Sequence, residues 1–314
     1  APGPRPAGAQ GRADLEPQAG EDLCYLAGDW RIFQLQDGHR YSIDDLMTAW
    51  YAVRAWARHR PDAGPPATCL DIGCGVGSAL QLVAWSFPEA RCVGVEAQDT
   101  SAGLARRSIA YNGAADRVRV ISGDLRDPAV LPEGQRFDIV TGTPPYFKVK
   151  EMGTVSKKRQ CGPCRYEFRG GVEAYCEAAA RALADDGVFA VVEASLANDH
   201  VYEGATAAGL AIVSHMDVIP REGKPSLFSL FCMRRNTDAG TPAARAAGPV
   251  TADEAAHVGC AKETFTVRDR EGRHTDDYRA MLADMGYPPP ARRNKKKEDA
   301  PAHQDQDEAT KTRC

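Results

Sequence analysis

Cys69-Leu-Asp-Ile-Gly-Cys-Gly-Val-Gly77 is the stretch that decides the fold of this chain. Leu70 and Ile72 lie in a buried-strand pattern, and the three glycines that follow let the backbone turn tightly and come close to a ligand. Ala79, Leu80, Leu82 and Val83 then continue a helix whose free N–H groups and positive dipole end face whatever sits above the turn. By itself this turn does not discriminate, because flavin and nicotinamide proteins use similar ones. The segments downstream decide.

Cys92-Val-Gly-Val-Glu96 predicts a second strand, ending in an acid 23 residues after Gly73. A carboxylate at that place can take both hydroxyls of a ribose. Val118-Arg-Val-Ile121 is the third strand, followed by Ser-Gly-Asp124-Leu, and Phe137-Asp-Ile-Val-Thr-Gly142 is the fourth, followed by Thr143-Pro-Pro-Tyr146. This order resembles the class I S-adenosylmethionine-dependent methyltransferases, and the Pro-Pro-Tyr turn resembles their amino-methyltransferase branch, which acts on planar nitrogens. The resemblance implies a Rossmann-like, doubly wound α/β fold with a mainly parallel seven-stranded sheet and one antiparallel edge strand. It implies S-adenosylmethionine as cofactor, held by Asp71, Gly73, Cys74, Gly75, Gly77, Glu96, Asp124 and Leu125. Within that branch, Tyr41-Ser-Ile-Asp-Asp45, Pro144-Pro-Tyr-Phe147 and Pro220-Arg-Glu-Gly-Lys-Pro225 are similar to the bacterial tRNA adenine-N6 methyltransferases that modify valine tRNA beside the anticodon.

The exocyclic amine of adenine is a poor nucleophile, because its lone pair is delocalised into the ring. In Asn-Pro-Pro-Tyr enzymes the Asn side chain and the first Pro carbonyl accept the amine protons, and the Tyr stacks on the base. By resemblance, Thr143, Pro144, Pro145 and Tyr146 are the catalytic candidates here. Thr143 replaces the family Asn and keeps one acceptor oxygen; alternatively its hydroxyl only caps the turn. Phe147 is a second stacking candidate. Residues 147–171 hold seven basic residues against two acidic ones, with aromatics interleaved. Lys157, Lys158 and Arg159 form the densest basic run. Such a loop suits an RNA backbone, with tRNA the implied substrate. Protein glutamine-N5 methylation, small-molecule N-methylation and RNA binding without catalysis are the rival readings. Cys161-Gly-Pro-Cys164 matches a redox motif outside its usual strand–helix context, and no second CxxC pair supports zinc, so no metal is expected.

The whole chain has 314 residues, is 43% hydrophobic and carries a net charge of −4. It is long enough for one large core, is not basic overall, and contains no apolar run long enough to cross a bilayer. Ten scattered cysteines, several inside strand patterns, point to buried thiols in a reducing compartment. The implied location is the cytoplasm, with an organelle or the nucleus as alternatives. Composition divides the chain into a disordered tail (1–21), a methyltransferase domain opening on a helical segment (22–235), a linker (236–256), a small extension (257–290) and a basic, disordered tail (291–314). Ser42-Ile-Asp-Asp45 predicts a capping box for a helix from Ile43 to His59.

Overall fold

The computed structural model describes residues 6–148, 161–236 and 260–289. Lys157, Lys158 and Arg159, the linker beyond residue 236 and the basic tail at 291–314 lie outside the described residues.

An antiparallel hairpin comes first, β1 (Glu21–Ala27) with β2 (Trp30–Leu35). Helix α1 (Ile43–His59) follows, with its first turn held by Asp45, whose carboxylate accepts the Ser42 backbone N–H at 2.9 Å. The glycine turn then joins β3 (Thr68–Ile72) to α2 (Ser78–Ser86), as the strand–turn–helix pattern predicts. After it come β4 (Arg91–Glu96), α3 (Asp99–Tyr111), β5 (Val118–Ser122) and β6 (Phe137–Gly142). A five-residue helix α4 (Cys161–Arg165) precedes α5 (Val172–Ala182), β7 (Leu183–Ala194), α6 (Asn198–Ala207), β8 (Leu210–Ile219) and β9 (Phe228–Arg235). The last elements are β10 (Ala261–Thr266) and α7 (Asp276–Asp284), the latter capped by Thr275.

Eight strands form the main sheet, in the order β10-β8-β9-β7-β6-β3-β4-β5. The expected seven strands thus become eight, because β10 adds parallel to β8 instead of standing in a separate extension. The single antiparallel strand is β9, and it sits between β7 and β8, third in from an edge and not at it. Its reversed direction follows from the short connection after β8, which permits a hairpin but no crossover.

Two apolar clusters cover the two faces of the sheet. The hairpin, α1, α2, α3 and α7 close one face, with Trp30, Phe33, Met47 and Trp85 fully buried. Helices α5 and α6 close the other, around Leu70, Phe189 and Phe231. Each such side chain contributes roughly 1.5–3 kcal/mol by leaving water. Cys69, Cys74, Cys92, Cys176 and Cys232 are buried thiols within these layers. The segment expected as a disordered tail is, from residue 6, laid against α3: Gly8 donates to the Tyr111 carbonyl at 2.8 Å, Leu15 is buried, and Arg107 donates to the Asp14 and Glu16 carbonyls. Composition missed this docking because it rests on backbone carbonyls, gathered by one arginine, and on a single buried leucine. Among the described residues no helix is long and apolar enough to cross a membrane.

Candidate active site

Register fixes where chemistry can occur. Ile72 lies opposite both Val95 and Gly142, and Glu96 lies opposite Ser122. Gly73, Glu96, Ser122 and Thr143 therefore stand at one level, at the carboxyl ends of β3, β4, β5 and β6. That is where ligands bind in open α/β sheets.

A cleft opens at this level. Gly73, Gly75, Glu96, Asp124, Leu125, Thr143 and Pro145 from the sequence-derived set all line it. Its glycines have separate jobs. Gly73 sits at φ 68°, and a Cβ there would come within 2.1 Å of the Tyr175 hydroxyl. Gly75 sits at φ 55° with open space where its Cβ would point, leaving backbone free for a ligand to approach. Gly77 lies outside the cleft lining; at φ 81° it ends the turn, and a Cβ would press on Ala105 at 3.1 Å.

Glu96 is anchored before any ligand arrives. One carboxylate oxygen accepts the Gly75 N–H at 2.9 Å and the other the Gln98 N–H at 2.7 Å. Burial still pushes its pKa above the ordinary carboxylate value. Asp124 differs: Arg126 grips it with two guanidinium hydrogen bonds, at 2.9 and 2.7 Å, which hold its pKa below the ordinary value. The cradle suits an adenosine-bearing methyl donor. It offers bare backbone at Gly75, a fixed carboxylate with lone pairs to spare at Glu96, and an apolar wall at Leu125.

Asp71 and Cys74 are placed differently from the sequence expectation. Asp71 lies beneath the turn, where it accepts the Leu80 N–H at 3.0 Å and the Thr141 hydroxyl at 2.8 Å. It therefore ties β3 to α2 and to β6, and burial raises its pKa to about 7. Cys74 is buried with its sulfur packed against Gly94, where an added Cβ would approach to 2.7 Å.

On the other side of the cleft, Thr143 is a lining residue whose hydroxyl makes no hydrogen bond to the described residues. Pro144 and Tyr146 are outside the lining. Tyr146 packs against the core and donates its hydroxyl to Asp44 at 2.7 Å. Burial, then the Asp44 charge, push its pKa well above the usual phenol value. Phe147 is half exposed.

Three segments contribute residues outside the sequence-derived cofactor set, although Tyr166 and Arg169 belong to the basic run at 147–171 and Tyr41 and Asp45 to the stretch that carries the resemblance. His39, Tyr41 and Asp45 from the leading segment line the cleft, and Asp45 accepts the Ser78 hydroxyl at 2.9 Å. Burial, reinforced by Asp44, raises the Asp45 pKa. Tyr175 from α5 and Tyr166 and Arg169 from the segment after α4 close the far wall. The capping-box spacing marked Asp45 as a helix cap only, and nothing local marks Tyr175 beyond an aromatic in a helix. No group of three or more His, Cys, Asp or Glu suited to a metal occurs among the described residues.

Comparison with known proteins gives the site its context. Residues 69–157 match a family described as a methyltransferase domain. The tRNA1(Val) (adenine(37)-N6)-methyltransferase of Porphyromonas gingivalis is 40% identical over 96 residues, 30% of this chain and 38% of that relative. The chain thus aligns with little more than a third of that relative's length. A release factor glutamine methyltransferase of Chlorobaculum tepidum is 23% identical over 160 residues, 48% of this chain and 52% of that relative. For the fold, a predicted O-methyltransferase from Agrobacterium tumefaciens superposes with a TM-score of 0.52 at 15% identity, covering 78% of this chain and 98% of that one. A cleft of this make-up at the strand ends, with the match at residues 69–157 running through its glycine turn, Glu96, Asp124 and Thr143, makes this part of the chain similar to a methyltransferase domain.

Proposed function

We propose that this protein methylates the exocyclic amine of adenine in RNA, with tRNA as the substrate and the cytoplasm as the place of work. The observation that carries the reading is Thr143, which lines the cleft at the same strand-end level as Gly73 and Glu96 and whose hydroxyl has no hydrogen-bond partner among the described residues. When bound, S-adenosylmethionine supplies a methyl carbon activated by its sulfonium. The chain must supply an amine with a usable lone pair. In this reading Thr143 Oγ1 and the Pro144 carbonyl accept the two amine N–H groups, which returns electron density to the nitrogen and fixes its direction. Tyr146, packed against the core and bonded to Asp44, holds the turn that carries Thr143 and Pro144. Glu96 takes the ribose hydroxyls of the methyl donor, and Asp124 accepts from its adenine amine. Lys157, Lys158 and Arg159 bind the RNA backbone. Support comes from the name of the Porphyromonas gingivalis relative and from the basic composition of residues 147–171.

A second reading is methylation of a glutamine amide in a protein, favoured by the Chlorobaculum tepidum relative and by the same planar-nitrogen chemistry. The test is direct. Total tRNA and a glutamine-bearing release-factor fragment are incubated separately with the protein and S-adenosylmethionine, and the products are digested for mass spectrometry. N6-methyladenosine in the tRNA is the expected product. A methylated glutamine with unmodified tRNA replaces the first reading with the second.

A further inference from the structure

Four large apolar side chains are strongly exposed among the described residues: Phe147 (49%), Phe168 (46%), Leu196 (103%) and Leu227 (58%). They gather at one end of the sheet. Phe147 follows the carboxyl end of β6, and Leu196 follows the carboxyl end of its parallel neighbour β7. Leu227 opens the antiparallel β9 at the same end, where its carbonyl accepts the Ser195 N–H at 3.3 Å. Phe168 is held beside Phe147 by Tyr166, whose ring lies 5.8 Å from one and 6.2 Å from the other. Backbone bonds fix this strip: Phe147 donates to the Arg165 carbonyl and accepts from the Glu167 N–H, both at 2.9 Å. Tyr166 also lines the cleft, so the strip starts at the mouth of the active site and runs outward.

Rings fixed on backbone bonds offer flat faces without further ordering. Arg165 and Arg169 border the strip and are exposed, and Arg221 and Lys224 are exposed on the connection leading to Leu227. Apolar faces bounded by cations fit unpaired nucleotides, which present bases to stack and phosphates to neutralise. They do not fit a duplex, whose bases are already stacked.

We infer that Phe147, Tyr166 and Phe168 form a stacking strip for the unpaired nucleotides that flank the acceptor base, and that the strand leaves the cleft past Leu196 and Leu227 toward Arg221 and Lys224. This deepens the reading proposed above and rests on it, because it takes the acceptor to be RNA. It also adds a requirement: the acceptor base must lie in a single-stranded segment, such as a loop.

A short single-stranded RNA carrying 2-aminopurine beside the acceptor adenine is titrated with the full chain in the presence of S-adenosylhomocysteine. Stacking on the strip quenches the fluorophore. Phe168→Ala weakens binding roughly 5- to 150-fold, the range for losing one base–aromatic stack, and abolishes the quench. Phe168→Tyr restores both. The slope of log affinity against log salt stays at the wild-type value in Phe168→Ala and becomes shallower in Arg221→Glu/Lys224→Glu. Equal binding of single strand and duplex overturns the inference, as does wild-type affinity and quenching in both Phe147→Ala and Phe168→Ala. Quenching by the wild type with no methyl transfer to adenine leaves the strip standing and removes the proposed acceptor. Transfer to adenine with an unchanged KM in both alanine variants keeps the acceptor and removes the strip.

Discussion

The two halves of the cleft are built on opposite plans. At the ends of β3, β4 and β5 the polar groups are satisfied from within: Glu96 holds two backbone N–H groups, Asp71 holds Leu80 and Thr141, and Asp124 holds Arg126. At the ends of β6 and β7 only some are: Tyr146 holds Asp44 and Glu193 holds the Ala194 N–H, while other surfaces stay open. Thr143 has no hydrogen-bond partner among the described residues, and Phe147 and Phe168 face water. A half that receives the same small molecule each time profits from groups fixed in advance. In the reading proposed above, the other half receives an RNA and keeps its contacts at the surface, where they can be completed by that partner.

Changes to the prearranged half should therefore cost the most. Gly73→Ala forces a left-handed residue and a collision with the Tyr175 hydroxyl. It should destabilise the fold by about 2–4 kcal/mol and abolish methyl-donor binding, read by denaturant unfolding and calorimetry. Glu96→Ala leaves the Gly75 and Gln98 N–H groups without their acceptor and should weaken S-adenosylmethionine by about 1–3 kcal/mol. Unchanged affinity would take Glu96 out of the site. In the open half, Thr143→Val keeps the shape and deletes the acceptor. It should lower kcat roughly tenfold, with little change in KM. Thr143→Asn should retain or raise activity. A Thr143→Val enzyme with full turnover would show that the half is open for another purpose.

Two smaller effects sharpen the contrast. Burial of Glu193 at the end of β7 raises its pKa to about 8. Because the folded value lies above the unfolded one, the folded state holds this proton more tightly. Stability from this source is complete below the unfolded value near 4.5 and is lost as pH rises through about 8. Unfolding free energy should fall by about 1–2 kcal/mol between mildly acidic and alkaline buffer, and Glu193→Gln should flatten that fall. A wild-type profile already flat over this interval would mean that Glu193 keeps its charge. The least change is expected from Asp44→Asn, which keeps an acceptor for Tyr146 and loses only the charge. A few-fold drop in kcat/KM at unchanged methyl-donor affinity is the expected outcome. A drop in methyl-donor affinity instead would mean that Asp44 acts through Asp45 and Ser78.

Sequence alone made the prearranged half legible because its grammar is contiguous: strand, glycine turn and helix within Cys69–Val83, then an acid closing the next strand. Asp71 shows the limit. An acid beside such a turn reads as a ligand, yet its position inside the strand places it under the turn as a brace. The open half was harder to read, because its walls come from distant segments. His39, Tyr41 and Asp45 arrive with α1, and Tyr175 arrives with α5, where an aromatic in a helix signals packing first. The strand β1 was missed because most of its residues are half-buried and show no clean alternation. The place of β10 was missed because a long Ala-, Gly- and Pro-rich stretch separates it in sequence from β8, the strand it joins.

That last strand has a further consequence. With β10 in place, the six-residue run Ala261–Thr266 pairs with Ser214–Ile219 along the flank of β8. Cut the chain after Arg235 and the same flank, Ser-His-Met-Asp-Val-Ile, becomes a row of unpaired N–H and C=O groups, a template for pairing with another molecule. The C-terminal segment thus covers a sheet edge that would otherwise be open. A shortened chain that kept every cleft residue would also lose Tyr278, Met281 and Met285 from the core, so both its solubility and its stability should fall.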